Sequence, residues 1–408
     1  VVSEPKRVSM FASLSPVVLR ILAHSLLFGL AASVSDVLFN FYLLSLGYGN
    51  EAAGQMNSIF RGAGVIFGIP MGMLIDKQGA RKVLMFAITA YAIGWIVVLG
   101  WEDISIIAPI YFLVGAANIA TYTAIIPLLS SVIEPQQRAT FFGINAGAVV
   151  AVGFIGSLFG GSLPSLVAPL LNVAATDVLA YRVALLSVSL ISFLAILPLL
   201  GIGQAVTNQQ NARVTVDDPT DPKLPFMSLV LFASQGFLLG LGGGMVVPFQ
   251  NLFFRQQFGL PDAQVGLILA ISAFAMGFGS LIGGPLSKKF GLRHAAAWTR
   301  FLAAPTLLLM LVPNLYVSAA AYYVSRLVIG VTFPLADALV MQSVPAHQRG
   351  TATSLTSMLW SLGWAASALV SGYIQSASGF YWVMIASAVA YVVSALSFYV
   401  IPFKDTGK

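Results

Sequence analysis

The sequence predicts an all-α membrane protein of twelve transmembrane helices in two pseudo-symmetric six-helix bundles. Three observations carry that prediction. First, 58% of the 408 residues are hydrophobic and only 8% are charged, whereas a soluble domain carries about 25% charged residues. A chain so apolar cannot cover itself with polar surface in water. Second, the apolar residues fall in runs long enough to span a hydrocarbon core as helices, for which roughly 20 residues suffice. The runs are too long, and alternate too little, for barrel strands. Third, a block of the first half returns in the second: the stretch from Gly72 to Lys82 recurs from Gly284 to His294 at an offset of 212.

The runs follow in order. Helix 1 (16–46) carries Asp36 and Asn40, and helix 2 (51–75) carries Asn57 and Arg61. Helix 3 (82–100) has neither amides nor charge in its core. Helix 4 (104–133) shows one polar aromatic face of Tyr111, Gly115, Asn118 and Tyr122, and helix 5 (138–162) holds Asn145 and a glycine-rich segment. Helix 6 (179–201) likewise has neither amides nor charge in its core. In the second half, helix 7 (225–256) holds Gln235, Gln250 and Asn251, helix 8 (262–287) leads into the repeated block, and helix 9 (292–312) has Arg300 toward its start. Helix 10 (314–344) carries Arg326, Asp337 and Gln342, helix 11 (350–376) carries Trp360 and Trp364, and helix 12 (379–401) is apolar. Several runs exceed the bare span, which predicts tilt or extension beyond the membrane. The stretch from Leu163 to Thr176 is expected to be a long connection at the membrane surface.

The repeat divides the chain into a first bundle (1–202), a polar linker (203–225) and a second bundle (226–408). The linker contains Asp217, Asp218, Pro219, Asp221 and Pro222, and Pro with Asp argues against a continuous helix. Gly54 meets Gly266 at the offset of 212, and Arg138 meets Arg349 and Gly161 meets Gly372 at 211, the pattern of a duplication. Lys and Arg cluster in the segments on one side, including Lys77, Arg81, Lys82, Arg138, Lys288, Lys289 and Arg349, while the other side holds only Arg182 and Arg255. The positive-inside rule therefore predicts that both termini are cytoplasmic, and the net charge of +6 is no signal for nucleic acid. The segment before Pro16 is polar and lacks a signal-peptide pattern. The chain has no cysteine and no N-x-S/T acceptor, which fits a bacterial inner membrane.

The loop after helix 2 reads Gly72, Asp76, Lys77, Gly79, Arg81, Lys82. With the parallel halves, it resembles the major facilitator superfamily over essentially the whole chain. That resemblance implies a secondary transporter in which two bundles rock about a central site near the bilayer midplane. It also implies a latch in which Asp76 meets Arg138 and holds the cytoplasmic side closed, with Gly72 allowing close helix approach and Gly79 a tight turn. The second copy has Lys288 where the first has Asp76, and Arg349 where the first has Arg138. The stretch Gly156-Ser157-Leu158-Phe159-Gly160-Gly161 partly resembles the helix 5 element of drug/proton antiporters, with Ser157 in place of its proline. It equally suits plain helix packing. The Arg-x-x-x-Gly pattern expected in helix 4 is absent, where Tyr111 and Gly115 stand, and appears in helix 10 as Arg326 and Gly330.

Charges inside a bilayer are costly and are usually retained for function. Asp36 lies ten residues before the outer end of helix 1, and Arg61 ten residues after the outer start of helix 2. At 1.5 Å per residue both sit roughly 15 Å below the outer surface, so an Asp36–Arg61 pair lining the cavity is expected, with Asn40 and Asn57 matched one turn higher. A permanent structural ion pair would look the same in sequence. Arg326, Gly330 and Asp337 share a face of helix 10, which places Arg326 near mid-depth as an anion or proton site and Asp337 near the cytoplasmic end as a gate residue. His24 is expected to be a structural histidine rather than a proton shuttle. The amides avoid helices 3, 6, 9 and 12, as lipid-facing helices require.

The candidate proton-coupling residues are therefore Asp36, Arg61, Arg326 and Asp337. The cavity candidates are Asn40, Asn57, Asn118, Tyr122, Asn145, Gln235, Gln250, Asn251, Trp360 and Trp364. Two functional readings follow. One is proton-coupled efflux of amphipathic or lipophilic compounds. The other is proton-coupled uptake or exchange of a small polar or anionic nutrient, which a cavity of net positive charge would favour. An enzyme is not expected: there is no P-loop, no complete dinucleotide fingerprint and no nucleophile elbow, and no cofactor is implied. The expected partners are a small-molecule substrate, protons and the lipid bilayer, with the chain a monomer. A receptor that has lost transport is the remote reading.

Overall fold

The twelve apolar runs become twelve long helices in the computed structural model, which describes residues 15–133, 137–202, 223–345 and 348–403. They are α1 (Pro16–Ser45), α2 (Asn50–Gln78), α3 (Ala80–Leu99), α4 (Ile104–Val132), α5 (Arg138–Leu171), α6 (Val178–Leu200), α7 (Phe226–Phe258), α8 (Asp262–Phe290), α9 (Leu292–Leu309), α10 (Leu315–Ser343), α11 (Arg349–Ser378) and α12 (Tyr381–Val400). Among the described residues ten of these are long and apolar enough to cross a membrane by length and composition. The other two, α9 and α11, fall short for a visible reason. In α9, Arg293, His294 and Arg300 dilute the apolar run, and α11 turns Ser361, Ser367, Ser371 and Gln375 inward onto its neighbours.

Local chemistry sets the ends. Ser15, Asp103, Asp177 and Asn314 each accept from a backbone N–H in the first turn of α1, α4, α6 and α10, which satisfies a donor that the helix itself leaves unpaired. Gly79 and Gly291, at repeat-related positions, close α2 and α8 with φ of +84° and +81°, a conformation that a Cβ would strain. The predicted surface connection from Leu163 to Thr176 is corrected. Here α5 runs through Pro164 and Pro169 to Leu171 and ends on Asn172 in the left-handed conformation. The intervening residues are apolar enough to stay in the membrane, where prolines within helices are tolerated. The linker residues 203–222 and the loop residues Glu134, Pro135 and Gln136 lie outside the described residues.

The two halves pack by one scheme. In the first, α1 lies on α5 and α6, α2 on α4, and α3 on α4 and α6. In the second, α7 lies on α11 and α12, α8 on α10, and α9 on α10 and α12. The bundles meet through α2 against α11 and α5 against α8. Outward faces of α3, α6, α9 and α12 expose Phe86, Leu190, Trp298 and Leu396, as helices against lipid would.

Because helices alternate in direction, Ser15, Gly79, Gly291 and Phe403 share one end of the molecule, here the terminal side. Arg81 Nε donates to Leu199 O (3.2 Å) and Arg293 donates to Phe403 O, tying that side within each half. The opposite, distal side is where the halves touch. A Cβ on Gly54 would fall 2.6 Å from Ala368 O and 2.9 Å from Gly372 Cα, and one on Gly161 would fall 2.5 Å from Asp262 O and 2.8 Å from Gly266 Cα. These two crossings are related by the sequence repeat, Gly54 to Gly266 and Gly161 to Gly372. On the terminal halves of α2, α5, α8 and α11 the reverse holds. A Cβ at Gly68, Gly72, Gly143, Gly147, Gly284 or Gly350 would meet nothing within 4 Å. The bundles are therefore closed together distally and parted on the terminal side. Gly72, expected at a close helix approach, faces open space in this state.

Candidate functional site

Between the parted bundles lies a cavity of about 600 Å³, within the size range of small-molecule sites. Its distal roof is built by reciprocal asparagines. Asn40 Nδ2 donates to Pro248 O (2.6 Å) and to Asn251 Oδ1 (3.0 Å), and Asn251 Nδ2 donates to Val37 O (2.8 Å). Asn40 and Asn251, like Val37 and Pro248, are 211 residues apart, so each half donates to the equivalent carbonyl of the other. In α7 a 3-10 turn, Val247–Phe249, interrupts the helix at Pro248, and the carbonyl there faces a polar cavity rather than lipid. Asn57 Nδ2 reaches Asn40 Oδ1 at 3.4 Å, which joins the two amides matched by depth. Above them Asn50 bonds Gln256 and Gln375 across the halves (2.8–3.2 Å). Nearby, Arg255 bridges Tyr181 (3.0 Å) and Asp262 (3.3 Å), and Tyr181 donates to Asp262.

The cavity wall holds five charged residues: Asp36, Arg61, Arg300, Arg326 and Asp337. Asp36 and Asp337 are exposed into it. The expected Asp36–Arg61 ion pair is not made, since among the described residues the ion pairs within 4.0 Å are Arg182–Glu102 and Arg255–Asp262. Arg61 turns away to the other half, where its guanidinium lies 5.1 Å from the Trp364 ring centroid and 5.5 Å from that of Trp360. Depth along the helix brought Asp36 and Arg61 to one cavity; the facing aromatic rings decide where Arg61 points. Arg326 Nη2 lies 2.9 Å from Met276 Sδ.

Arg300 is the residue that sequence reasoning misplaced. Expected near the helix end, it sits mid-way along α9, fully buried, and reaches the cavity from a lipid-facing helix. Its guanidinium donates to Gln235 O (3.2 Å), Gln235 Oε1 and Ser394 Oγ (2.7 Å) and stacks 4.4 Å from the Phe398 ring. The signal that finds it is the general cost of an intramembrane charge. Of the remaining candidates, Gln235, Gln250, Asn251, Trp360 and Trp364 line the cavity. Asn118, Tyr122 and Asn145 do not. Asn118 is buried in α4, Tyr122 packs edge-on against Phe28 (5.1 Å) and Asn145 lies on the terminal half of α5. His24 is buried with Nδ1 2.8 Å from Ala195 O, as a structural histidine would be.

Three buried side-chain atoms of the lining residues have no protein partner: Arg300 Nε, Arg326 Nε and Trp364 Nε1. All three are donors and are enclosed by protein. The glycine-rich segment of α5 serves packing: a Cβ on Gly156 would fall 2.7 Å from Ser33 Cβ, one on Gly160 3.3 Å from Val34 Cα, and Gly161 forms the distal crossing.

The residues expected to form a latch lie at the terminal ends of α2, α3, α5 and α11. Asp76, Lys77 and Lys82 are exposed, and the side chain of Arg138 lies outside the described residues. Arg349, its repeat partner, donates through Nε to Met341 O (3.1 Å) and Val344 O (3.4 Å), which caps the end of α10.

Comparison with known proteins agrees with this architecture. The profile of the Major Facilitator Superfamily matches residues 232–408 and that of the MFS_1 like family residues 2–169. The chain is 21% identical to the uncharacterized MFS-type transporter YceJ of Bacillus subtilis (strain 168), covering 88% of each chain. Over 130 residues, 32% of this chain and 30% of the other, it is 30% identical to the niacin transporter NiaP of Acinetobacter baylyi. Its fold matches a mutant of the nucleoside transporter NupG at a TM-score of 0.75 and 16% identity, covering 95% of this chain and 100% of that one. It also matches a bacterial homolog of the human lysosomal transporter Spinster in an inward-facing, unoccupied conformation, at 0.74 and 15%, covering 94% and 96%. Family profiles over both halves, a relative along nearly the full length and the shared two-bundle fold converge: the chain belongs to the major facilitator superfamily, whose members are membrane transporters and not enzymes.

Proposed function

We propose that the chain is a proton-coupled secondary transporter of small ring-bearing molecules with an anionic or acceptor-rich group, working by alternating access. The observation that carries this reading is the excess of cationic side chains in the cavity lining: Arg61, Arg300 and Arg326 against Asp36 and Asp337. A carboxylate or carbonyl-rich substrate would balance that excess, and the aromatic residues among the lining suit a planar body. Niacin and nucleosides, for which a relative and a fold match are named, are of this kind. The lipophilic-efflux reading draws on the 22% identity to the class H tetracycline resistance protein of Pasteurella multocida over 58% of each chain, but the charged lining suits it less.

The positive-inside distribution assigns the terminal side to the cytoplasm, so the cavity opens inward in this state. Asp36, exposed into the cavity at depth, is the proposed proton carrier. The bacterial inner membrane and a monomeric chain remain the proposed setting. The test is flux in proteoliposomes of a panel of nicotinate, benzoate, a nucleoside and a lipophilic cation, with and without an imposed pH gradient. Gradient-driven movement of a ring carboxylate or nucleoside supports the reading. Movement of the lipophilic cation alone refutes it.

A further inference from the structure

Among the described residues Arg61 is the one cationic side chain that reaches from the first half onto the aromatic pair of the second. Its guanidinium lies 5.1 Å from the Trp364 centroid, 5.5 Å from Trp360 and 5.9 Å from Phe60, all within the range at which a cation is held by a ring quadrupole. The two tryptophans sit one turn apart on α11 with centroids 4.9 Å apart, and both line the cavity. Such a double aromatic face is the usual receptor for an organic cation. Here that receptor is already filled by the protein's own cation.

We propose that Arg61 is a specificity-determining residue that excludes cationic compounds by occupying the faces of Trp360 and Trp364 itself. Its charge also repels an incoming cation from that wall. Removing Arg61 changes the local chemistry in three ways at once. The ring faces are vacated, the repulsion is lost, and Asp36, which lies within electrostatic reach of Arg61, loses its only nearby counter-charge from the first half. Arg300 does not replace it, since its guanidinium is committed to Gln235 and Ser394. The vacated site then has the composition of a cation receptor: two indole faces beside a carboxylate. Discrimination of this kind, by an element that opposes the wrong ligand, is how many selective sites work. The inference rests on the reading of this cavity as the substrate site, and it deepens that reading by naming what keeps cations out.

The test is equilibrium binding to the purified full chain in detergent, with tetraphenylphosphonium as the cation, triphenylphosphine oxide as its neutral counterpart and benzoate as a ring anion. Wild type and Arg61→Lys are expected to bind the cation no better than the neutral probe. Arg61→Gln is expected to bind it at least about tenfold tighter than wild type does, a difference of about 1.4 kcal/mol, and Arg61→Gln with Trp364→Leu to lose that gain. The neutral probe should change little across the series. Cation affinity of Arg61→Gln within about twofold of wild type would overturn the proposal, as would an equal gain for the neutral probe or a gain that survives loss of Trp364. If Arg61→Gln fails to elute as a monodisperse species, Arg61→Met asks the same question. The benzoate arm separates the two ideas. A cation gain in Arg61→Gln without benzoate binding to wild type sinks the anionic-substrate reading and keeps the role of Arg61, and benzoate binding without a cation gain does the reverse.

Discussion

Replacing Gly54 by valine should push the molecule out of the state described here. The added Cβ would stand 2.6 Å from Ala368 O and 2.9 Å from Gly372 Cα, against backbone atoms that cannot swing aside. Overpacking of this kind costs roughly 1–3 kcal/mol. Because α2 and α11 press together here only while the distal side is closed, the penalty falls on this state and spares one in which the distal side is open. A differential of that size shifts the balance between the two by about 5- to 150-fold. The chain has no cysteine, so single cysteines can report the shift. Gly68 is one turn from Gly64, whose added Cβ would face Ser361 Oγ at 3.5 Å, and itself meets nothing within 4 Å. Gly68→Cys therefore looks across the parted terminal side and should label quickly with a hydrophilic maleimide. Ala368→Cys, fully buried in the distal crossing, should label slowly. Adding Gly54→Val should slow the first and speed the second. Gly161→Val, at the repeat-related crossing, should act in the same direction. If neither reporter changes rate although the variants fold, the two glycine crossings are not what holds the distal side closed.

Three further outcomes follow from the site. Asn40→Leu and Asn251→Leu should each lower the thermal midpoint, and the double variant should lose less than the sum because the two side chains share one network; coupling of about 0.5–3 kcal/mol in a double-mutant cycle checks this, and strict additivity would contradict it. Arg300→Met should destabilise the protein by about 2–4 kcal/mol, since it strips charge-assisted bonds from buried Gln235 and Ser394, with Arg300→Lys intermediate because an ammonium cannot reproduce the fork; unchanged melting would place Arg300 outside the framework. Asp36→Asn should abolish accumulation driven by a pH gradient while leaving substrate exchange at equal pH measurable, and a variant that still accumulates substrate would remove Asp36 as carrier.

Depth and polarity were legible in the sequence, and direction around a helix axis was not. Counting residues at 1.5 Å each brought Asp36 level with Arg61 and, one turn higher, Asn40 level with Asn57, and the structure joins Asn40 to Asn57. The partner of Arg61 depends on what the other bundle presents, and two indole rings drew it from Asp36. The stretch from Leu163 to Thr176 was expected as a connection, yet α5 continues through Pro164 and Pro169 to Leu171, since prolines are tolerated within membrane helices. Arg300 was misjudged for a related reason. A lone arginine early in a run reads as an anchor at the water interface, whereas here Gln235 and Ser394 pay back its desolvation in the interior. The open terminal side had no sequence signal at all, because the same glycines serve in either state.

The repeat separates scaffold from chemistry. Positions that let the bundles cross and turn are duplicated: Gly54 with Gly266, Gly161 with Gly372, Asn40 with Asn251, Gly79 with Gly291, Arg81 with Arg293. The five cavity charges behave in the opposite way. At the repeat-related position, 211 or 212 residues away, Asp36 faces Val247, Arg61 faces Ala273, Arg300 faces Ile88, Arg326 faces Gly115 and Asp337 faces Ile126. None has a charged counterpart. A symmetric charge set would present the same group to a ligand from both walls, and an ordinary asymmetric molecule gains nothing from that; it needs a cation on one wall and a ring or a carboxylate on the other. The rocking machinery therefore benefits from symmetry, since each crossing must open as its counterpart does, and the binding site benefits from its loss. Substitutions at the duplicated positions should accordingly change the balance between states for any substrate, whereas substitutions at the five unpaired charges should change which substrate is moved.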